Sequence, residues 1–346
     1  MAKIIQLQQK EETPEIKELI STVPSTTLST LMTKAMQIDS LCTDYNISRA
    51  DSNRNIRFNE DAGITFVADD GVVRKSMISR YALGQLSSKI GVPARYIEKC
   101  VNSGRLELAQ NNVNSWLDEY NKNLFLRDYN GTLRGVLSDR YSVCDSPDII
   151  RVLDDAVDLN NFRVKGSYIS EERLHIRLVD RDLLPIDGED LFAGIFVDSS
   201  DVGRSILTVR FGIYKQVCTN GLVIAKAGGT LFEQKHIGIT AEEFHEGLYR
   251  SLGVIDELTE NAVEFVKLAK SKSCKLDLED MERFIKQLRQ TTNLSEEHAG
   301  KVIDLMKTKY ELNHWGLING ITEVAQDFTL ERRLELERIA GNILVA

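Results

Sequence analysis

Cysteine, proline and long apolar runs are all scarce in this chain of 346 residues, which carries 5 cysteines, 5 prolines and 2 tryptophans. The cysteines (Cys42, Cys100, Cys144, Cys218, Cys274) lie tens of residues apart and never form a Cys-x-x-Cys pair, so they read as reduced thiols rather than a zinc knuckle or redox site. No stretch approaches the ~18 uncharged apolar residues of a membrane span. The start, Met1-Ala2-Lys3-Ile4-Ile5, runs into Gln8-Gln9-Lys10-Glu11-Glu12 and lacks the apolar core of a signal peptide. These absences lead us to expect a cytoplasmic protein. Neither a Gly-x-x-x-x-Gly-Lys-[Ser/Thr] loop nor Gly-x-Gly-x-x-Gly occurs, which argues against a P-loop motor or a dinucleotide site. The histidines (His175, His236, His245, His298, His314) form no His-x-x-x-His or His-Glu-x-x-His pair. We therefore expect no cofactor, no metal site and no catalytic residue set.

What is present is an ordinary globular composition, 42% hydrophobic and 27% charged, at a length suited to about two domains. Period-two patterning marks strands at 64–68, 72–74, 124–129, 132–137, 162–169, 173–179, 192–198, 205–218 and 222–225. Asn130-Gly131 signals a type I′ hairpin, and Gly228-Gly229 a further turn. Helical patterning covers 25–42, 79–120 with breaks near Gly91–Pro93 and Gly104, 146–159, and nearly everything after Thr240. Asp277 and Ser295 are expected helix caps. The expected architecture is α+β. A flexible N-terminal arm (1–24) precedes a mostly antiparallel curved sheet with packed helices (25–240) and an all-helical C-terminal domain (241–346).

The net charge of −9 argues against a surface that coats nucleic acid all round. By segment the picture differs. Residues 71–105 hold Arg74, Lys75, Arg80, Lys89, Arg95, Lys99 and Arg105 against Glu98 alone. Residues 202–240 hold five basic residues against Glu233, whereas 145–201 hold fourteen acids against six basic residues. Strand phase sends Leu207, Val209, Phe211 and Ile213 inward and leaves Arg204, Thr208, Arg210, Gly212 and Tyr214 on the other face, with Lys215 at the strand end. Likewise Leu174, Ile176 and Leu178 point inward while Arg173, His175 and Arg177 are expected outward. Arg127 and Arg134 come from the hairpin, with Arg140 just beyond. Cations alternating with rings on a sheet face suit single-stranded nucleic acid, and a plain solvated face is the alternative.

Residues 86–100 have helix-turn-helix spacing: Leu86, Ile90, Val92, Ile97 and Cys100 fall at buried positions, small Ser87 where helices cross, and Arg95 and Lys99 outward. Simple helix packing gives the same pattern. Cys218 before Asn220-Gly221 reads as a strand-end residue. The acids at Asp180, Asp182, Asp187, Glu189 and Asp190 lack a cation-loop order. Trp315 with Gly316 and Gly320 inside a helical pattern points to close helix packing.

Leu133-Arg134-Gly135-Val136-Leu137-Ser138-Asp139-Arg140-Tyr141, Val217-Cys218-Thr219-Asn220-Gly221-Leu222, Trp315 through Glu323, and Gly91-Val92-Pro93-Ala94-Arg95-Tyr96 together resemble a phage/plasmid-like family, domain of unknown function nine-hundred-and-thirty-two. The likeness runs from about residue 60 to 325. A usual Asn-Ser-Glu-x-Gly stretch of that family stands here as Asp198-Ser199-Ser200-Asp201-Val202-Gly203. The resemblance implies a mobile-element protein in a bacterial host cell and brings no catalytic residues with it. The resulting expectation is a non-enzymatic nucleic-acid-binding protein that binds or anneals single-stranded DNA in replication or recombination. Self-association, and contact with a host or phage replication protein, are expected. A protein-interaction scaffold or host-defence antagonist acting through the C-terminal helices is the alternative.

Overall fold

The computed structural model describes residues 27–48, 55–156, 161–186, 188–215, 220–223, 230–238, 240–274 and 278–345. The expected N-terminal arm, Cys218, Gly228-Gly229, Asp187 and the Asp277 cap lie outside the described residues. The rest is an α+β protein, as its patterning predicts, but with two six-stranded sheets in place of the single curved sheet expected; neither is closed.

The first sheet takes strands β1 (Cys42–Ile47), β2 (Ile56–Phe58), β3 (Ile64–Val67), β4 (Val73–Ile78), β5 (Leu124–Tyr129) and β6 (Thr132–Ser138) in the order β1-β5-β6-β4-β3-β2. Only the β4–β6 pair is parallel. Between β5 and β6, Asn130 and Gly131 have φ of 47° and 82°, the left-handed pair that a type I′ turn demands. Asp128 Oδ1 accepts from the Gly131 N–H at 2.7 Å and closes the turn. Three helices pack on this sheet: α2 (Arg80–Ile90), α3 (Ala94–Asn102) and α4 (Leu106–Glu119). Ser79 caps α2 by accepting from the Ala82 N–H at 3.1 Å, and Gly91 ends it in the left-handed region at φ 73°. Leu86, Ile90, Val92, Ile97 and Cys100 are all buried, as is Ser87, so the helix-turn-helix spacing translates into packing as expected.

The second sheet holds β7 (Phe162–Ile169), β8 (Leu174–Leu183), β9 (Leu191–Ser199), β10 (Leu207–Lys215), β11 (Asn220–Val223) and β12 (Thr230–Gln234). Its order is β11-β10-β9-β8-β7, with β12 sharing the β11 edge of β10. Leu207, Val209, Phe211 and Ile213 join Leu174, Ile176 and Leu178 in a core that α1 (Leu28–Asp39), α5 (Ser146–Ala156) and α6 (Ala241–Leu252) help to fill. The chain then stays helical through α7 (Ile255–Ser271), α8 (Leu278–Thr292), α9 (Glu296–Thr308), α10 (His314–Val324), a 3-10 turn (Ala325–Asp327) and α11 (Leu330–Leu344). Ser295 caps α9 as expected, accepting from the His298 N–H at 3.2 Å. A Cβ at Gly320 would sit 3.1 Å from the Val302 carbonyl oxygen, so this glycine lets α10 close on α9. No described helix is long and apolar enough to cross a membrane.

Three strands escape the patterning: β1, β2 and β12. Cys42 opens a strand, where a helix end was expected, because residues 42–47 pair antiparallel along the whole of β5. A second correction matters more. His175, Arg177, Thr208 and Tyr214 do not face solvent; all are buried. β9 explains why. Phe192 and Phe196 line the face opposite the main core, and α11 covers it, bringing Glu337 to Arg177. A strand that is apolar at both parities belongs inside, with both faces covered.

Candidate nucleic-acid interface

The expected contact residues fall into three groups. Arg127 and Arg134 meet at the junction of the two sheets. Pairing slips between Arg127 and Asp128, leaving Arg134 as the extra residue on β6, and this bulge accompanies the burial of both arginines. Arg127 Nε and Nη2 donate to Asp44 at 2.9 Å each, while Nη1 donates at 2.6 Å to both the Asp145 carboxylate and the Asp201 carbonyl. Burial opposes the charge of Arg127, but the carboxylates of Asp145 and Asp44 outweigh it and keep the guanidinium protonated. Arg134 donates to the Glu171 carbonyl and lies 3.7 Å from the Asp201 carboxylate. Asp201 also accepts from the Ser146 N–H at 3.2 Å and from its hydroxyl at 3.0 Å. Desolvation, helped by the charge of Asp145, pushes the Asp201 carboxyl up to about 7 despite the two arginines.

This junction joins the Leu133–Tyr141 stretch, which carries the resemblance, to the Asp198–Gly203 stretch, where the chain departs from the family's usual pattern. Gly135 packs against Val202: a Cβ here would lie 3.3 Å from the valine side chain, which would have to give way by a few tenths of an ångström. Gln85 of α2 donates to the Val202 carbonyl at 2.9 Å and accepts from the Val136 N–H at 2.8 Å. Tyr141 donates to the Ser200 carbonyl at 3.2 Å, and its ring stacks between Phe125 and His236.

The second group lies under or beside α10 and α11. His175 and Asp198 are 2.7 Å apart, and Arg177 Nε donates to His175 Nε2 at 3.0 Å. That nitrogen is therefore an acceptor, and the ring presents the Nδ1 proton to Asp198. Arg177 continues to Glu337 at 2.7 Å, which also accepts from Arg333 at 3.1 Å. Arg210 reaches Asp198 at 3.4 Å. Arg173 and Arg204 share Glu331 at 3.1 and 2.7 Å, with Glu172 a second partner of Arg204. Lys215 sits 2.8 Å from Glu189 and donates to Asn319 at 3.1 Å. Trp315 spends its indole N–H on the same Glu189, at 2.7 Å.

Arg95 and Lys99 form the third group. They stand one turn apart on α3, exposed, and neither makes an ion pair among the described residues. The one carboxylate on their helix, Glu98, is held by Arg80 at 2.9 Å. Lys75 and Arg105 are exposed as well.

Sequence reasoning missed the anionic partners: Asp44, Asp145, Asp198, Asp201, Glu331 and Glu337. Most of the signal was visible. The acid-rich segment 145–201 supplies Asp145, Glu172, Glu189, Asp198 and Asp201 to the same arginines and lysine that charge counting treats as free. Among the described residues no group of three or more His, Cys, Asp or Glu side chains is arranged to hold a metal ion.

No curated protein matches this chain. No solved structure matches it either. One family model does, over residues 134–340, which takes in the β6 arginine, the second sheet and the C-terminal helices. The chain belongs to the family described as domain of unknown function, DUF932.

Proposed function

We propose that this chain is a non-enzymatic nucleic-acid-binding protein that engages DNA through α3, binding or annealing single strands in the replication or recombination of a phage or plasmid. A cytoplasmic setting in a bacterial host, and self-association on the strand, go with this reading. The observation that carries it is the exposed, unpaired Arg95–Lys99 pair on a helix whose only acid is already engaged. A helix of this kind sets two cations about one turn apart, a spacing that can follow successive phosphates. The buried arginines belong to a different role. Their charge is spent on carboxylates, and a buried ion pair opened to reach phosphate would leave an uncompensated charge behind. The nucleic-acid surface thus moves from the sheet face expected from strand phase to the helix pair.

The test is a mobility-shift titration of a labelled single-stranded oligonucleotide with wild type and with Arg95→Glu/Lys99→Glu. The reading expects binding to fall at least about tenfold, with an unchanged circular-dichroism melting curve because both side chains are exposed. Equal affinity of the two proteins would overturn it.

A further inference from the structure

Resting on that reading, we infer that the exposed face shared by α3 and α4 takes the unpaired bases of a single strand, with Trp116 as the ring on which a base stacks. The two tryptophans differ sharply. Trp315 is 5% exposed with its N–H committed to Glu189, whereas Trp116 is 49% exposed. The core does not need Trp116, since Ala109, Val113 and Leu117 already supply the buried stripe of α4. Its position ties it to the cations of α3. Asn112, one turn before Trp116, donates its amide to Tyr96 Oη at 2.6 Å across the two helices. Lys99 lies one turn beyond Tyr96, and Arg95 beside it. Leu108, 46% exposed, extends the same stripe one turn the other way.

Aromatic groups flanked by cations suit a strand whose bases are free: each base offers a π-face to the indole while its phosphates reach the ammonium and guanidinium. A duplex keeps its bases stacked inside and gives Trp116 nothing to stack on.

Intrinsic tryptophan emission of the full chain, titrated with single-stranded oligo-thymidylate and with a duplex of equal length, tests this. Saturable quenching by the single strand alone is expected. Trp116→Ala should remove the quenching and weaken single-strand binding about 5- to 100-fold, and Trp116→Phe should restore most of the affinity. If Trp116→Ala binds as wild type does while Arg95→Glu/Lys99→Glu fails, the stacking inference falls and the nucleic-acid reading stands. Equal quenching by duplex also overturns the inference. If no oligonucleotide binds the wild type, both readings fall.

Discussion

Asp201→Asn should make this protein's stability less sensitive to pH, with a sign opposite to that of an ordinary ion-paired aspartate. At the junction of the sheets, Asp44, Asp145 and Asp201 face Arg127 and Arg134, so full ionisation leaves one negative charge in excess. A proton on Asp201 balances the node. Its carboxyl, 3.8 in an unfolded chain, rises to about 7 in the fold through desolvation and the charge of Asp145. Between those values the folded protein keeps a proton that the unfolded chain has lost. Stability from this group is therefore fully present below pH 3.8 and is lost as pH rises through about 7. At about 1.36 kcal/mol per unit, the loss totals about 4 kcal/mol. Asp198, whose carboxyl is lowered despite burial by its hydrogen bond from His175 and the charge of Arg210, and Glu189, lowered despite burial by Lys215, act in the opposite direction. The difference between variant and wild type cancels them. The amide still accepts from Ser146 and needs no proton. Urea denaturation at intervals from about pH 4 to 8 should show the variant gaining about 4 kcal/mol on wild type. Parallel curves would mean that the arginines win and Asp201 is ionised in the fold; a variant that loses ground as pH rises would refute the reasoning outright.

Arg177→Ala should cost about 3 kcal/mol in urea denaturation, because it strips His175 Nε2 of its donor and leaves buried Glu337 with Arg333 alone. A loss under about 1 kcal/mol would show that α11 is held by packing without the pair. Gly131→Ala forces a Cβ into φ 82° and should lower stability by about 1 kcal/mol; no change would mean the hairpin relaxes into another turn.

Local chemistry made much of the fold legible. The Asn130-Gly131 turn, the Ser295 cap, the Gly91 helix end and the α2–α3 burial pattern rest on forces that act within a few residues. β1 and β2 were not legible in that way. Cys42–Ile47 and Ile56–Phe58 have weak patterns of their own and become strands because β5 and β3 offer them an edge. The arginines failed for a related reason. Strand phase correctly separated Arg177 and Arg210 from the apolar core residues, yet period two cannot say whether the second face meets water or another helix. The run Leu191-Phe192-Ala193-Gly194-Ile195-Phe196-Val197, apolar at both parities, held that information. Where α3 is concerned the sequence sufficed, because a short amphipathic helix at the surface leaves its polar side only one place to go.

We propose that cations on α3 carry nucleic-acid binding while the buried arginines hold the fold. Single-strand affinity measured by fluorescence anisotropy across a range of salt concentrations tests it most directly. Each phosphate that the protein no longer neutralises should flatten the log–log slope by about 0.7, so Arg95→Ala/Lys99→Ala should give a slope shallower by about 1.4 than wild type. An identical slope in the two proteins, or a wild type whose affinity ignores salt, would contradict it.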